Sequence, residues 1–300
     1  METTPLIMVS LRLASSGPLT QFAPAQDMIV ASHAPRPPLD RFIEWFWFHE
    51  GFNPDHRLER VLPDGSMELI FNLRDEVRHV FDPATQRPAR SYRRSWLSGP
   101  HSEFIVIDTA PDASMMGVHF RPGGAAAFLR LPLSELRNAV VDLEALGNAE
   151  VPRLRDQLLE APTPAAKFRL LEDALLACWR GSAAWHPAVD YALRCFTAEP
   201  QNITVGKVTG EIGLSPRRFI QLFTEQVGLT PKLFCRVRRF QSVLDQIRLR
   251  GKIGWADVAI ECGYYDQAHF IHDFQEFCGM NPGAYLAERI EYPNFVPLRS

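Results

Sequence analysis

Apolar positions fall at helical spacing twice over in the last third of the chain, and the two stretches share one design. In the first, Val205, Val208 and Ile212 line one face of a helix and Gly213 ends it, since glycine takes a left-handed backbone cheaply. Ser215 then caps the next helix and Pro216 takes its first position, where no backbone N–H is needed. Phe219, Leu222 and Phe223 point inward, which leaves Arg217, Arg218 and Gln221 on the outer face. The second stretch repeats this with Val258 and Ala259 inside, Gly263 at the break and Asp266 as cap. There Phe270, Phe274 and Phe277 face inward, and Gln267, His269, His272, Asp273 and Gln275 are candidates for the outer face. Each copy closes on the same phrase, Gly228-Leu229-Thr230-Pro231 and Gly279-Met280-Asn281-Pro282, with Phe234 and Tyr285 at matching offsets. Two helix-turn-helix units are predicted, joined by a long helix over Pro231–Leu249.

Upstream the pattern changes. Residues 1–38 carry Ser15, Ser16, Gly17 and Pro18, then Pro24, Pro35, Pro37 and Pro38, and read as a loosely ordered segment. Leu39 to His49 is dense in aromatics and reads as a helix, or a helix running into a strand, that fills a core or lines a pocket. From Arg57 to Phe120 the apolar runs are short: 58–62, 67–72, 77–81, 95–98, 104–108 and 115–120. Turn signals such as Pro63-Asp64-Gly65 and Gly99-Pro100 separate them, so a small antiparallel barrel or sandwich is expected. Residues 131–184 read as helical, with Thr163-Pro164 starting the last helix and a homodimer contact expected in this region. Gly181 to Ala184 reads as a hinge, and His186 to Phe196 as the first helix of the C-terminal half.

Composition adds one asymmetry. The 300 residues, 46% hydrophobic and 22% charged, suit a soluble globular chain of about two domains, and the net charge of −3 carries no signal. Its distribution does: between Lys207 and Lys252 ten basic residues face three acidic ones, an excess of +7, while residues 253–290 hold six acids and one base, or −5. The five cysteines form no Cys-x-x-Cys pair and read as reduced, buried thiols of a cytoplasmic protein. No apolar run approaches a membrane span of ~20 residues, and Leu6-Ile7-Met8-Val9 lacks the flanks of a signal peptide. Neither a metal nor another cofactor is expected, because His269 and His272, at helical spacing with Asp273 adjacent, lack the further ligand a metal site needs and Gly123-Gly124 lacks a nucleotide-binding fingerprint. Two phrases stay open: Asp64 either bonds its own turn or faces a pocket, and Arg121-Pro122-Gly123-Gly124 either turns the chain or holds an anion.

The paired helix-turn-helix with Gly-x-x-Pro after each second helix, and above all Gly263-Tyr264-Tyr265-Asp266-Gln267-Ala268-His269-Phe270, resembles the AraC/XylS-type transcriptional regulators. The resemblance covers roughly the last third of the chain. Thr209 departs from the family's usual alanine and Gln221 from its common arginine; the threonine suits a small-residue site, and the lost arginine weakens a phosphate or guanine contact. The expected fold class is α+β: an N-terminal small β-barrel or sandwich with helices, which the resemblance implies to be cupin-like, and a C-terminal all-α double helix-turn-helix. The domains expected are the loose segment 1–38, a sensor or dimerisation domain at 39–180 and the DNA-binding domain at 186–290.

The resemblance implies sequence-specific binding of double-stranded DNA through Ser215, Arg217, Arg218, Gln221, Gln267, His269 and His272. It also implies a small-molecule effector on the N-terminal domain and, for an activator, RNA polymerase as partner. An N-terminal domain that only dimerises stays open beside this. An enzyme fused to a DNA-binding tail through a reactive cysteine lacks its nucleophile, since no cysteine precedes Cys178.

Overall fold

The computed structural model describes residues 28–146, 150–179, 181, 185–250, 253–290 and 292–299. Two sheets face each other in the N-terminal half. The first contains β1 (Ile29–His33), β2 (Ile43–Phe52), β4 (Met67–Asn72), β7 (Ser95–Ser98), β9 (Ala113–Phe120) and β10 (Val140–Asp142), in the order β1-β2-β9-β4-β7-β10. The second contains β3 (Leu58–Val61), β5 (Arg78–Phe81), β6 (Pro88–Tyr92), β8 (Ile105–Asp108) and β11 (Phe295–Pro297), in the order β11-β3-β8-β5-β6. Of the barrel or sandwich expected, the sandwich is observed.

Two expectations are corrected and one alternative is selected. Of the two readings of the aromatic run 39–49, the helix running into a strand is observed, as a 3₁₀ turn at Leu39–Arg41 followed by strand β2. Its residues look continuously apolar because alternate side chains serve two different interiors: Phe46 and Phe48 enter the core under the helices, and Trp45 and Trp47 face the opposite sheet. Within the segment expected to be loose, Ile29–His33 pairs with β2, while residues 1–27 lie outside the described residues. Within the stretch read as helical, Val140–Asp142 is an edge strand on β7; three residues are too few for a period to declare itself.

The helices expected next do form, as α1 (Glu150–Glu160) and α2 (Pro164–Cys178), the latter capped by Thr163. Leu158, Phe168, Leu171 and Leu175 bury their inner faces on Phe46, Phe71, Met116 and Val118 of the first sheet. Of the hinge expected at Gly181 to Ala184, residues 182–184 lie outside the described residues.

The C-terminal half is helical: α3 (Pro187–Ala198), α4 (Val205–Glu211), α5 (Pro216–Val227), α6 (Pro231–Leu249), α7 (Trp255–Glu261), α8 (Gln267–Cys278) and α9 (Pro282–Glu288). Ser215, Thr230, Asp266 and Asn281 each accept a backbone N–H at a helix start, as their places before proline or glutamine predict. Its core joins Phe196, Phe219, Phe223, Phe234, Phe240 and Phe274 in tilted and edge-to-face contacts. Thr209, the departure from alanine, donates its hydroxyl to the Val205 carbonyl at 2.7 Å and so satisfies itself within its own helix.

This core does not stop at residue 290. Strand β11 pairs with β3, and Val296 and Leu62 join the helical core, so the end of the chain ties the two halves together.

Candidate nucleic-acid interface and the cavity between the sheets

On α5 the side chains of Arg217, Arg218 and Gln221 are exposed, as expected from the apolar face opposite. Arg218 Nη1 donates to Gln221 Oε1 at 3.2 Å, and Gln221 Nε2 donates to Glu225 Oε1 at 2.9 Å, so these groups form a chain along the helix surface. Ser215 Oγ is the cap acceptor for the Arg218 N–H at 3.4 Å. On α8, Gln267 and His272 are exposed; His269 is half-exposed, set edge-on to Tyr264 with its ring centroid 5.3 Å away. Tyr265, beside the cap of α8, is 90% exposed. It was not singled out in the sequence because its twin Tyr264 is buried and a Tyr-Tyr pair does not say which ring faces out.

Asp273, expected on the outer face, is instead 1% exposed. It and Glu276 share the Arg236 guanidinium of α6, which donates Nη2 to Asp273 Oδ1 at 2.7 Å and to Glu276 Oε2 at 2.5 Å. Helical spacing put Asp273 beside His269; it could not show that α6 brings an arginine there. The same helix sends Arg239 Nη1 to the Gly263 carbonyl at 3.1 Å and Arg238 Nη1 to the Asp64 carbonyl at 3.3 Å. Arg250 pairs with Glu261. Of the ten basic residues between 207 and 252, those exposed among the described residues are therefore Lys207, Arg217, Arg218, Lys232 and Arg248.

Both second helices of the paired units end against the sandwich. Gly228 closes α5 and Gly279 closes α8, both with a left-handed backbone. A side chain at Gly228 would collide with the Pro100 ring, and one at Gly279 with the Phe104 ring. Pro100 and Phe104 belong to one connection, residues 99–104 between β7 and β8. A single loop of the N-terminal domain thus touches the ends of both helices.

The space between the sheets is a cavity of about 940 Å³. Strand register arranges its wall on the first sheet into rows. Trp45, His119, Glu68 and Ser98 lie side by side, then Trp47, Gly117, Ile70 and Trp96, then His49 and Met115. Gly117 leaves room for the Trp47 indole lying across it. Residues Leu193 and Arg194 of α3, and Arg238, Gln241 and Asp245 of α6, complete the wall.

The first row is electrostatically tight. His119 stacks on Trp45 at 4.0 Å with the rings 3° from parallel. Its Nδ1–H donates to Glu68 Oε1 at 2.6 Å, and its Nε2 lies 3.5 Å from Asp64 Oδ2 and 4.0 Å from Glu44 Oε2. Trp47 Nε1 donates to the other Glu68 oxygen at 2.7 Å. Burial works against the imidazolium, but the Glu68 charge and hydrogen bond, with Asp64 and Glu44 behind them, win and raise its pKa to about 9. His101, in the 99–104 loop, sits with Nε2 2.9 Å from Ser98 Oγ; burial lowers its pKa to about 4, and its Nδ1 has no hydrogen-bond partner among the described residues.

The two open phrases now resolve. Asp64 does both things proposed for it: Oδ1 accepts the Ser66 N–H at 2.8 Å and the Ser66 hydroxyl at 2.6 Å, and Oδ2 faces His119. The carbonyls of the same turn accept Gln241 Nε2, at Pro63, and Arg238 Nη1. Arg121-Pro122-Gly123-Gly124 forms the turn that the first reading expects. The Arg121 and Gly124 N–H groups bond to Phe42 and Arg121 carbonyls, and Arg121 Nε donates to the Asp40 carbonyl. Cys235, Cys262 and Cys278 are buried thiols with pKa values pushed up by burial to about 12, 11 and 12, while Cys195 is half-buried and Cys178 exposed.

Residues 208–288 match the model of a helix-turn-helix domain family, and residues 31–142 match that of a domain of unknown function, DUF6597. No curated protein matches the chain. Among solved structures, the C-terminal domain of AraT, a response regulator from Geobacillus stearothermophilus, is 18% identical, covers 37% of this chain and 92% of its own, and has a TM-score of 0.34. ToxT from Vibrio cholerae is 7% identical over 87% of this chain and 97% of its own, with a TM-score of 0.43. The DNA-binding domain of AdpA in complex with a target DNA is 19% identical over 34% of this chain and 90% of its own, at 0.31.

Proposed function

We propose that this DNA-binding transcriptional regulator, whose residues 208–288 form an AraC-type helix-turn-helix domain, is controlled by a small molecule held between its two sheets. One observation carries the proposal: the cavity has walls from both halves of the chain, with Trp45, His119 and Glu68 on one side and Arg238 and Gln241 of α6 on the other. α6 joins the two helix-turn-helix units, so whatever fills the cavity rests against the element that sets their separation. Helices reading successive major grooves must stand about 34 Å apart, and a small tilt of α5 against α8 breaks that match. Loop 99–104, which carries His101 into the cavity and Pro100 and Phe104 onto the ends of α5 and α8, is the second route by which occupancy reaches both.

In this reading Arg217, Arg218 and Gln221 contact DNA from α5 and Gln267, His269 and His272 from α8. Ser215 adds a phosphate contact from the helix start, where N–H groups and the helix dipole favour an anion. Tyr265 joins them, because its exposed ring adjoins the start of α8. Pairing as a homodimer and recruitment of RNA polymerase belong to the same reading. The test is to select a duplex from a random pool with the full chain, and to measure its affinity with and without compounds that raise the melting temperature. A compound that stabilises the wild type but not a Gly117→Leu variant, and that shifts DNA affinity, supports control through the cavity. Cavity binding that leaves DNA affinity unchanged sinks it.

A further inference from the structure

One buried cation in the cavity lacks a counter-charge among the described residues. Arg78, on β5 of the second sheet, is 5% exposed, and its Nε has no hydrogen-bond partner there. No carboxylate among the described residues forms an ion pair with it. Two carboxylates that line the cavity from the same sheet are engaged elsewhere: Asp108 accepts the His79 backbone N–H and pairs with the His79 ring, both at 2.9 Å, and Glu59 lies 3.2 Å from His56 Nε2. A buried guanidinium without a counter-charge is costly, and proteins keep one only where something supplies the anion.

The surroundings describe what that something is. Arg78 lines the cavity at the His49 end, near enough that its charge adds to burial in lowering the His49 pKa to about 4. His49 therefore stays neutral and does not compete for the anion. From there to the Trp45–His119–Glu68 row is four residues along each strand, roughly 13 Å. The wall between is apolar: Ile70, Trp96 and Met115 on the first sheet, Val80 and Ile105 on the second. The far end is acidic, with Glu44, Asp64 and Glu68 around one imidazolium, and repels an anion. The carboxylates thus gather at one end of the cavity, around His119 and beside Arg238, and the Arg78 end is the one without a carboxylate paired to its cation among the described residues.

Resting on the reading of this cavity as the effector site, we propose that Arg78 receives the anionic head group of an amphipathic acid whose apolar body lies between Ile70, Trp96, Val80 and Ile105. The planar fork of a guanidinium offers paired donors to a carboxylate or a phosphate alike.

The experiment uses the full chain and calorimetric titration with 4-phenylbutyrate and decanoate, their neutral amides, and 4-phenylbutyl phosphate. At least one anion is expected to bind wild type roughly 10- to 100-fold tighter than the amide of the same body, the scale of a charge-assisted hydrogen bond. Whether carboxylate or phosphate is the better head tells the two sources apart. Arg78→Met is expected to abolish that preference and Arg78→Lys to retain part of it. Without added ligand, Arg78→Met is expected to melt at a higher temperature than wild type, because it removes an unpaired buried charge. A lower melting temperature shows that Arg78 has a structural partner and overturns the proposal, as does equal binding of every anion and its amide. Anion binding that depends on Arg78 but leaves DNA affinity unchanged keeps the site and removes the effector reading instead.

Discussion

Between α3 and α9 the interior is filled with interlocking aromatic rings, whereas between the two sheets it is a hollow of about 940 Å³ walled by indoles, imidazoles and carboxylates. Both are interiors of one chain, and the contrast separates residues kept for folding from residues kept for binding. Phe219, Phe223, Phe234 and Phe270 are fully buried and pack against other rings of the same core, among them Phe196, Trp255, Tyr264 and Phe274. His119 and Arg78 are buried and His101 is half-buried, yet all three face open space, and each has a pKa or a bonding need that a filled core would not tolerate. A chain selected for stability alone would have closed the sandwich with apolar side chains.

The largest effect is expected from opening the filled interior. Phe270 contacts Trp255, Tyr264 and Phe274, and Phe270→Ala is expected to cost about 3–5 kcal/mol. Thermal unfolding of the full chain checks it. The matched truncation in the hollow, Trp47→Ala, is expected to cost clearly less, because one face of that ring already borders the cavity. Equal losses would mean that the cavity is packed in solution and would abolish the contrast.

Next comes the charge inside the hollow. The His119 pKa stands at about 9 when folded against an ordinary 6.5. Its stabilisation is fully present below about pH 6.5, declines as pH rises, and is gone above the folded value, a swing on the order of 3 kcal/mol. Melting temperatures measured from pH 6 to pH 10 are expected to fall through that window in wild type and to fall less in Glu68→Gln. A flat wild-type profile would place His119 outside the carboxylate cluster.

The two interiors also differ in how far the sequence reveals them. The filled one is legible because its signals are local: helical spacing gives Phe219, Leu222 and Phe223, a glycine and a capping residue give the turn, and α6 and the caps appear where expected. The hollow is not, since Trp45, His119, Glu68 and Ser98 come from four strands and meet only through register. Asp64 was visible as a turn residue, but its second role needs His119, 55 positions away. Asp273 failed for the same reason within the helical half. Its own helix is local, its partner Arg236 is not, and a buried carboxylate on an apolar face is readable only with both.

That pair supplies a third, smaller effect. Asp273→Asn leaves Arg236 with Glu276 alone and is expected to cost about 2 kcal/mol, the scale of a hydrogen bond to a charged group. Chemical denaturation of the full chain checks it. Glu276→Gln, at the exposed side of the same guanidinium, is expected to cost less than half as much. The reverse order would put the weight of the network at the surface.

The smallest effect lies outside both interiors, on the surface proposed to bind DNA, and it tests whether the two helix-turn-helix units contribute unequally. Counted along the sequence, the first zone carries +7 and the second −5. Arg236 and Arg250 reach across to Asp273, Glu276 and Glu261, so assigning those two charges to the acids they neutralise leaves +5 against −3. The contrast narrows and keeps its sign. Arg217 and Arg218 remain exposed and form no ion pair among the described residues, whereas His272 Nε2 lies 3.7 Å from Glu276 and His269 Nε2 3.9 Å from Asp273. Neutralising a phosphate releases counter-ions, and each such contact steepens the fall of log K with log salt by about 0.9. Arg217→Ala/Arg218→Ala is therefore expected to flatten the slope by up to about 2, and His269→Ala/His272→Ala to leave it nearly unchanged while relaxing the choice of base. Affinity titrations of the selected duplex at several salt concentrations measure both. If the histidine pair flattens the slope as much as the arginine pair, α8 anchors the protein as strongly as α5, and the charge difference between the units has no bearing on how they hold DNA.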